Sequence, residues 1–356
     1  MAYSKESIMI IGICYDLKDD YLAKGFSHED TAEFDKPETI DAIENALHEL
    51  GFDTDRIGHI WNLTSRLTQG DRWDLVFNIA EGLRGFGREA QVPCLLDAYD
   101  IPYTFSDPLV LSLTLHKGMS KRILQNLGIP TPAFGVVESQ EDAMKIGLPF
   151  PLFAKPVAEG TGKGISASSK IQNRKELISV CGSLLEEFHQ PVLVETFLPG
   201  REFTVGVAGT GREANILGIM EILFKESEED NIYSLSNKEN YKERVEYLRV
   251  NDTMAERAKQ IALAAWRGFG CRDAGRIDLR SDAQGLPHVI EINPLAGLHP
   301  VDSDLPILCG LAGITYHELI EMIMQSAMKR LGFKNGKAPD SETGCQGASS
   351  AVSTKK

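Results

Sequence analysis

Apolar and polar positions follow two rhythms along the chain, and the change between them falls near residue 116. In the first third, SIMIIGICY (residues 7–15) is an apolar run of strand length. KPETIDAIENALHELG (36–51) then sets Ile40, Ile43, Ala46, Leu47 and Leu50 at helical spacing, with Pro37 near the start and Gly51 as the stop. WDLVFNIAEG (73–82) reads as a second buried strand running into a loop, and VPCLLDAYDIPYTFS (92–106) returns through a helix to a short strand. This β-α-β alternation predicts a parallel sheet that binds ligands near its strand C-terminal ends. HKGMSKRILQNLGIPTPAF (116–134) is a basic amphipathic helix stopped by Gly128 and a Pro-rich turn. Beyond it, PFPLFAKP, KGISASSKI, PVLVETFL, REFTVGVAG and ANILGIMEILF are β-rich runs with turns between them, as in antiparallel sheet. A helix near 252–268, capped by Asn251 or Asp252, leads to a hairpin-like pair, AGRIDLRSDAQGLPHVIEINP (274–294). TYHELIEMIMQSAMKRLG (315–332) is a last amphipathic helix, and there is no internal repeat.

Composition bounds this picture. A chain of 356 residues is expected to form two or three lobes, and 42% hydrophobic with 25% charged residues is ordinary globular usage. A net charge of −14 argues against nucleic-acid backbone binding, which needs a basic surface, but leaves room for a local basic pocket. No apolar run has signal-peptide or membrane-span length. Six cysteines without a CxxC pair or zinc spacing read as reduced thiols of a cytoplasmic protein. The small-residue, polar stretch 334–356 is expected to be a disordered tail.

Three segments carry candidate chemistry. In GRIDL and IEINP, Arg276 and Asp278 lie two apart, as do Glu291 and Asn293, so each pair shares one face of its strand. If the strands pair, their oxygens suit Mg²⁺ and the guanidinium suits a phosphate or an oxyanion; a solvent-facing ladder of ion pairs is the alternative. In FAKPVAEGTGKGIS, Lys155 ends an apolar run before Gly160, Gly162 and Gly164, whose missing Cβ atoms let backbone N–H groups close on phosphate. It is not a Walker A loop, and a glycine-rich hairpin on its own is more often just a flexible turn. VLVETFLPGREFTVGV places Glu195, an apolar Phe197–Leu198 segment and Glu202 as an adenosine pocket would need them, or as an ordinary hairpin with exposed acids would.

Taken in order, these segments resemble the ATP-grasp superfamily, and within it the D-alanine–D-alanine ligase family. The likeness spans roughly residues 70–330 and includes HKGMSKRILQNLGIPTP, FPLFAKP, VLVETFLPGREFTV, GRIDL and EINPLAGLHP. It implies a three-lobed α/β and α+β architecture: a parallel α/β substrate domain (1–115) and two antiparallel-sheet lobes (116–198 and 199–333) that clamp ATP. It also implies the site. Lys117 and Lys155 would contact the phosphates and base region, and the loop Glu159, Gly160, Thr161, Gly162, Gly164 would close over the phosphates. Glu195, Thr196, Phe197 and Leu198 would hold adenine, and Glu202 the ribose. Asp278, Glu291 and Asn293 would bind two Mg²⁺, with Mn²⁺ as a substitute. Lys238 would touch phosphate, and Arg276 with the N–H of Gly297 would steady the tetrahedral intermediate. The implied activity is ligation of small amino-acid or carboxylate substrates through an acyl phosphate, in a homodimer joined by the N-terminal region.

The departures concern substrate positions. The family's glycine-rich opening with its ammonium-binding Glu is replaced by GICYDLKDDYLAKG, and Glu81 takes the place of a His, with Arg84, Arg88 and Glu89 nearby. The arginines suggest an acidic or phosphorylated partner group, or simply surface charge. The serine expected near the acceptor carboxylate falls on Asp302, with Ser303 adjacent, and an Asp there would repel that carboxylate. The expectation is therefore a carboxylate–amine ligase of the D-alanine–D-alanine ligase type whose substrates need not be two D-alanines. A small-molecule kinase or a nucleotide-binding regulator without catalysis are the competing classes.

Overall fold

The computed structural model describes residues 8–224 and 245–333. Strand β1 (Ile10–Cys14) is followed by a short helix α1 (Lys18–Leu22) and then α2 (Pro37–Glu49), β2 (Asp53–Gly58), α3 (Ile60–Gln69) and β3 (Leu75–Asn78). The strands form a parallel sheet in the order β2-β1-β3. Pro37 opens α2 at a position whose N–H would be unbonded anyway, and Gly51 follows its end at φ +88°, as the pattern predicts. The short strand expected around Tyr103 is reduced to one parallel bridge, Val76 to Tyr103. Pro102 precedes it, and a proline restricts its neighbour and donates no ladder hydrogen bond.

A second, antiparallel sheet has the order β4-β7-β5-β6, from β4 (Phe134–Val137), β5 (Leu152–Pro156), β6 (Lys170–Ile171) and β7 (Val192–Thr196). Before it come α4 (Gln91–Ala98), α5 (Pro108–Leu115) and α6 (Lys117–Asn126); within it lie α7 (Gln140–Lys145) and α8 (Arg174–Phe188). The β-rich reading of this region missed α8, 15 residues long, and overstated KGISASSKI, which gives only the two residues of β6. Asn173 caps α8 by accepting from the Glu176 N–H, and Leu177, Cys181 and Leu184 recur at helical spacing on its buried face.

The third sheet, β10-β9-β8-β11-β12, is antiparallel throughout: β8 (Glu202–Ala208), β9 (Asn215–Phe224), β10 (Val245–Arg249), β11 (Ala274–Ser281) and β12 (Pro287–Asn293). Helix α9 (Thr253–Phe269) is capped by Asp252, which accepts from two backbone N–H groups; its alanines and Trp266 pack on the sheet. Helices α10 (Asp304–Ala312) and α11 (Tyr316–Arg330) close the described chain, α11 behind a Thr315–Glu318 capping box. Their apolar faces do not complete a core of their own. Leu305, Leu319, Ile320, Ile323 and Met324 join Ile11, Ile13, Ile40 and Phe77 in a single cluster, so the end of the chain packs on the first sheet. Asp273, wholly buried, ties the same junction by accepting from the Phe105 N–H (2.7 Å) and pairing with Arg330 (2.8 Å). Among the described residues no single helix is long and apolar enough to cross a membrane.

Candidate functional site

The β11–β12 ladder pairs Arg276 with Asn293 and Asp278 with Glu291, so the two dipeptide spacings converge on one face. Asp278 accepts from Thr204 Oγ1 (2.9 Å) and Asn293 Nδ2 (3.1 Å) and forms an ion pair with Arg276. Glu291 pairs with Lys117 Nζ at 2.8 Å. Although burial opposes ionisation, Lys117, Lys155 and Arg276 hold the Glu291 carboxyl down at about 2. Two carboxylates thus face each other across the ladder, each paired with a cationic side chain. That donor set of carboxylate oxygens and an amide fits a hard divalent cation. No group of three His, Cys, Asp or Glu side chains gathers for a metal among the described residues.

The lysines come from the neighbouring sheet and from α6. Lys155 is next to last in β5, two residues beyond Phe153, the ladder partner of Glu195, and reaches Glu195 Oε1 diagonally at 3.0 Å. Lys121, one helical turn after Lys117, reaches Glu195 Oε2 at 2.7 Å and donates to Thr131 Oγ1. Only 1% of Lys121, 5% of Lys155 and 3% of Glu195 is exposed. Burial outweighs the pull of Glu195 and pushes Lys121 down to about 8; burial also opposes Lys155, yet Glu195 and Glu291 raise it. The helix read as basic and amphipathic therefore turns two of its lysines inward. The four-residue spacing of Lys117 and Lys121 was the available signal for that second inward lysine.

Two cavities meet here. The smaller, about 120 Å³, is lined by Lys117, Lys155, Glu159, Gly160 and Gly162, by Glu195, Thr196, Phe197, Leu198 and Glu202, and by Asp278 and Glu291. Arg280 pairs with Glu202 (3.1 Å) and stacks over the Phe197 ring, with Lys170 also over that ring. The larger, about 680 Å³, is bounded by Arg276, Glu291, Asn293 and Gly297, and by Thr161, Glu81, Glu89, Asp35, Asp302 and Ser303. Glu159 and Gly160 border both.

Nearly every expected residue thus lies on one of the two cavities. Gly164 does not: at φ +70° it packs against Pro156 and Phe188, where a Cβ would stand 2.6 Å from the proline ring. Lys238 lies outside the described residues. Arg84 is exposed, but the surface reading fails for Arg88, which is buried, pairs with Glu33 (2.7 Å) and donates to the Ala158 carbonyl (2.7 Å). The charge of Asp302 is paired with Lys36 at 3.3 Å. Glu81 and Glu89 form no ion pair among the described residues. Burial, followed for Glu81 by the Glu89 charge, pushes Glu81 well above the carboxylate range, and burial carries Glu89 up to about 7 against Arg88. Glu33, which contacts the glycine loop, sits in a stretch without periodicity and had no sequence signal.

Two antiparallel sheets closing on a lysine–carboxylate cleft beneath a glycine loop define an ATP-grasp fold. The model of the D-ala D-ala ligase C-terminus matches residues 123–325. An uncharacterized protein, y4sG, from Sinorhizobium fredii is 32% identical over 74% of this chain and 76% of its own length. A D-alanine–D-alanine ligase from Marinomonas sp. is 32% identical over 74% of this chain and 80% of its own. In structure, the D-alanine–D-alanine ligase of Bacillus anthracis complexed with ATP superposes with a TM-score of 0.70 at 23% identity, over 91% of this chain and 98% of that one. The chain belongs to the D-alanine–D-alanine ligase family.

Proposed function

We propose that the protein is an ATP-dependent ligase that joins a carboxylate to an amine through an acyl phosphate, acting on substrates other than a pair of D-alanines. The convergence of Arg276, Asp278, Glu291 and Asn293 with Lys117 and Lys155 carries this reading. Asp278, Glu291 and Asn293 would hold Mg²⁺, two ions in this proposal and replaceable by Mn²⁺, which when bound neutralises phosphate charge during transfer. Lys117 and Lys155, paired in the buried cleft with Glu291 and Glu195, would present positive charge to the phosphates. Phe197 and Leu198 wall the base, and Glu202 faces the ribose. On the other side of Glu291, Arg276 and the Gly297 N–H border the larger cavity, where an oxyanion on the attacked carbonyl would form. The loop from Glu159 to Gly164 keeps water from the activated carboxyl group.

The substrate proposal rests on the larger cavity. Glu81, Glu89 and Asp35 give it a carboxylate-rich wall, and Lys36 with Asp302 forms an ion pair at its rim. Burial holds these carboxyls partly protonated, and an ammonium group that let them ionise would offset that burial, so such a wall favours substrates bearing ammonium groups beyond what alanine offers. A homodimer and a cytoplasmic location belong to the same reading and are open to sizing and fractionation. The deciding experiment supplies ATP and Mg²⁺ with a panel of D- and L-amino acids and diamines and identifies products by mass. Robust turnover to a dipeptide with D-alanine alone would reject the altered-substrate reading, and ADP formed without any amine acceptor would favour a kinase. Glu291→Gln should abolish ADP formation while the fold persists; an unchanged rate would remove the metal assignment.

A further inference from the structure

The stem of the 159–164 loop is held by two side chains 70 and 127 residues away in sequence. Arg88 donates through Nη1 to the Ala158 carbonyl (2.7 Å) and through Nη2 to Glu33 Oε2 (2.7 Å). The other oxygen of Glu33 accepts the Gly160 N–H at 2.8 Å. The three groups form a closed bracket across Glu159, from the carbonyl of residue 158 to the amide of residue 160. The fit is close: a Cβ on Gly160 would stand 2.9 Å from Glu33 Oε1. Lys163 adds ion pairs to Glu159 (2.6 Å) and Glu33 (3.6 Å), and Gln190 holds the far side by bonding the Ala158 N–H and Glu159 Oε1. Arg88 itself is set by a tight turn. Gly82, at φ +69°, lies against the Arg88 carbonyl with no room for a side chain, and its N–H is anchored on Asp16.

The position of this bracket gives it a purpose beyond folding. Glu159 and Gly160 line both the nucleotide cavity and the larger cavity, so the stem is the wall between them. The bracket ties that wall to the α/β segment whose Glu81 and Glu89 line the larger cavity. Both charges are buried and compensate each other: burial opposes their ionisation, yet Arg88 and Lys163 still hold the Glu33 carboxyl below its ordinary range.

We infer that Arg88 and Glu33 are positioning residues that hold the loop stem closed between the two cavities, so that the activated carboxyl group is passed to an amine instead of to water. This inference rests on the ligase reading above. In the leak that the bracket prevents, a water oxygen bonds to the acyl carbon and the C–O bond to phosphate breaks. Inorganic phosphate leaves with the electron pair, the water gives up a proton to solvent, and the original carboxylate returns. The net reaction is ATP and water to ADP, phosphate and a proton, with no ligated product. The bracket thus governs the coupling of ATP use to ligation.

The test measures phosphate released per ligated product, and the KM for ATP, in the full chain and in Arg88→Gln, Arg88→Lys and Glu33→Gln, using whichever substrate pair the wild type ligates. The wild type should release about one phosphate per product. Arg88→Gln should raise this ratio on the order of tenfold, because a loosened wall misplaces the reacting groups. Arg88→Lys, which can reach only one of the two partners, should fall between. A purely structural role would lower the melting temperature and leave the ratio at the wild-type value, and that result overturns the inference. Amide hydrogen exchange at residues 158–164 supplies a reading that needs no substrate. Exchange should quicken in both Arg88→Gln and Glu33→Gln, and wild-type protection in both would overturn the inference. If the wild type ligates no pair, the ligase reading fails and the exchange measurement alone decides the bracket. If Arg88→Gln does not fold, Glu33→Gln carries both measurements.

Discussion

Replacing Glu195 with Gln tests whether the buried lysines are held in place by one carboxylate. Glu195 is the only acid within ion-pair distance of Lys121 and Lys155 among the described residues, at 2.7 and 3.0 Å. The substitution preserves volume and removes the charge, leaving two ammonium groups in a desolvated interior. Breaking a buried ion pair on one side costs about 3–5 kcal/mol. The amide oxygen can still accept from one lysine, which places Glu195→Gln at the lower end, about 3 kcal/mol. The burial penalty on Lys121 gives an independent scale. Its fall from 10.5 to about 8 with Glu195 present corresponds to about 3 kcal/mol at 1.36 kcal/mol per pKa unit. For a chain of this size, such a loss lowers the melting midpoint by about 5–10 °C.

The pH dependence supplies the sharper criterion. A lysine whose folded pKa is depressed binds fewer protons in the folded than in the unfolded state between the two values, so stability rises with pH across that window. In the wild type the window for Lys121 opens near 8 and closes near 10.5. Without Glu195 it opens lower, so the variant regains stability earlier and its deficit narrows as pH rises from 7 to 10. Urea unfolding of wild type and variant at pH 7, 8.5 and 10, without nucleotide, measures it. A deficit below about 1 kcal/mol at pH 7, or one that widens with pH, would refute the reasoning.

The remaining predictions concern other links. The Asp35 carboxyl is raised by burial, and then by Asp16, from 3.8 to about 7, so the folded protein keeps a proton that the unfolded chain has released; its stabilising contribution is complete below 3.8 and lost as pH passes 7. Asp35→Asn should therefore raise the melting midpoint by a few degrees at pH 8 and change it little at pH 4, and an equal shift at both would show that the proton is not responsible. A Cβ added to Gly275 would meet the backbone carbonyl of Asn293 and, at 2.7 Å, the Trp266 ring, so it must displace β12 or the indole. Gly275→Ala should cost about 1–3 kcal/mol and lower ATP turnover as Glu291 and Asn293 shift; wild-type turnover with wild-type stability would contradict this packing.

How legible all of this was depended on the range over which each signal acts. Alternation with period two put Arg276, Asp278, Glu291 and Asn293 on their strand faces, and pairing of the two strands, which the short polar turn favours, did the rest. Helix boundaries were legible where the chain carries its own punctuation, as at Pro37, Asp252 and Gly51. Helix α8 was not, because apolar strand-like runs on either side outweighed a single Asn cap. The loop bracket lies beyond such rules altogether. Arg88 and Glu33 are 55 residues apart, neither sits in a periodic segment, and their partners on the glycine loop are backbone atoms. A charged side chain that serves another segment's backbone leaves no pattern in its own neighbourhood, which is why Arg88 reads as surface charge until the lobes are assembled. The same reasoning separates the two halves of the site. The residues proposed to face phosphate from regular strands and a helix start, Asp278, Glu291 and Lys117, are revealed by spacing, whereas Glu81 and Glu89 lie outside any regular strand or long helix, and only the assembled fold shows that they share a wall.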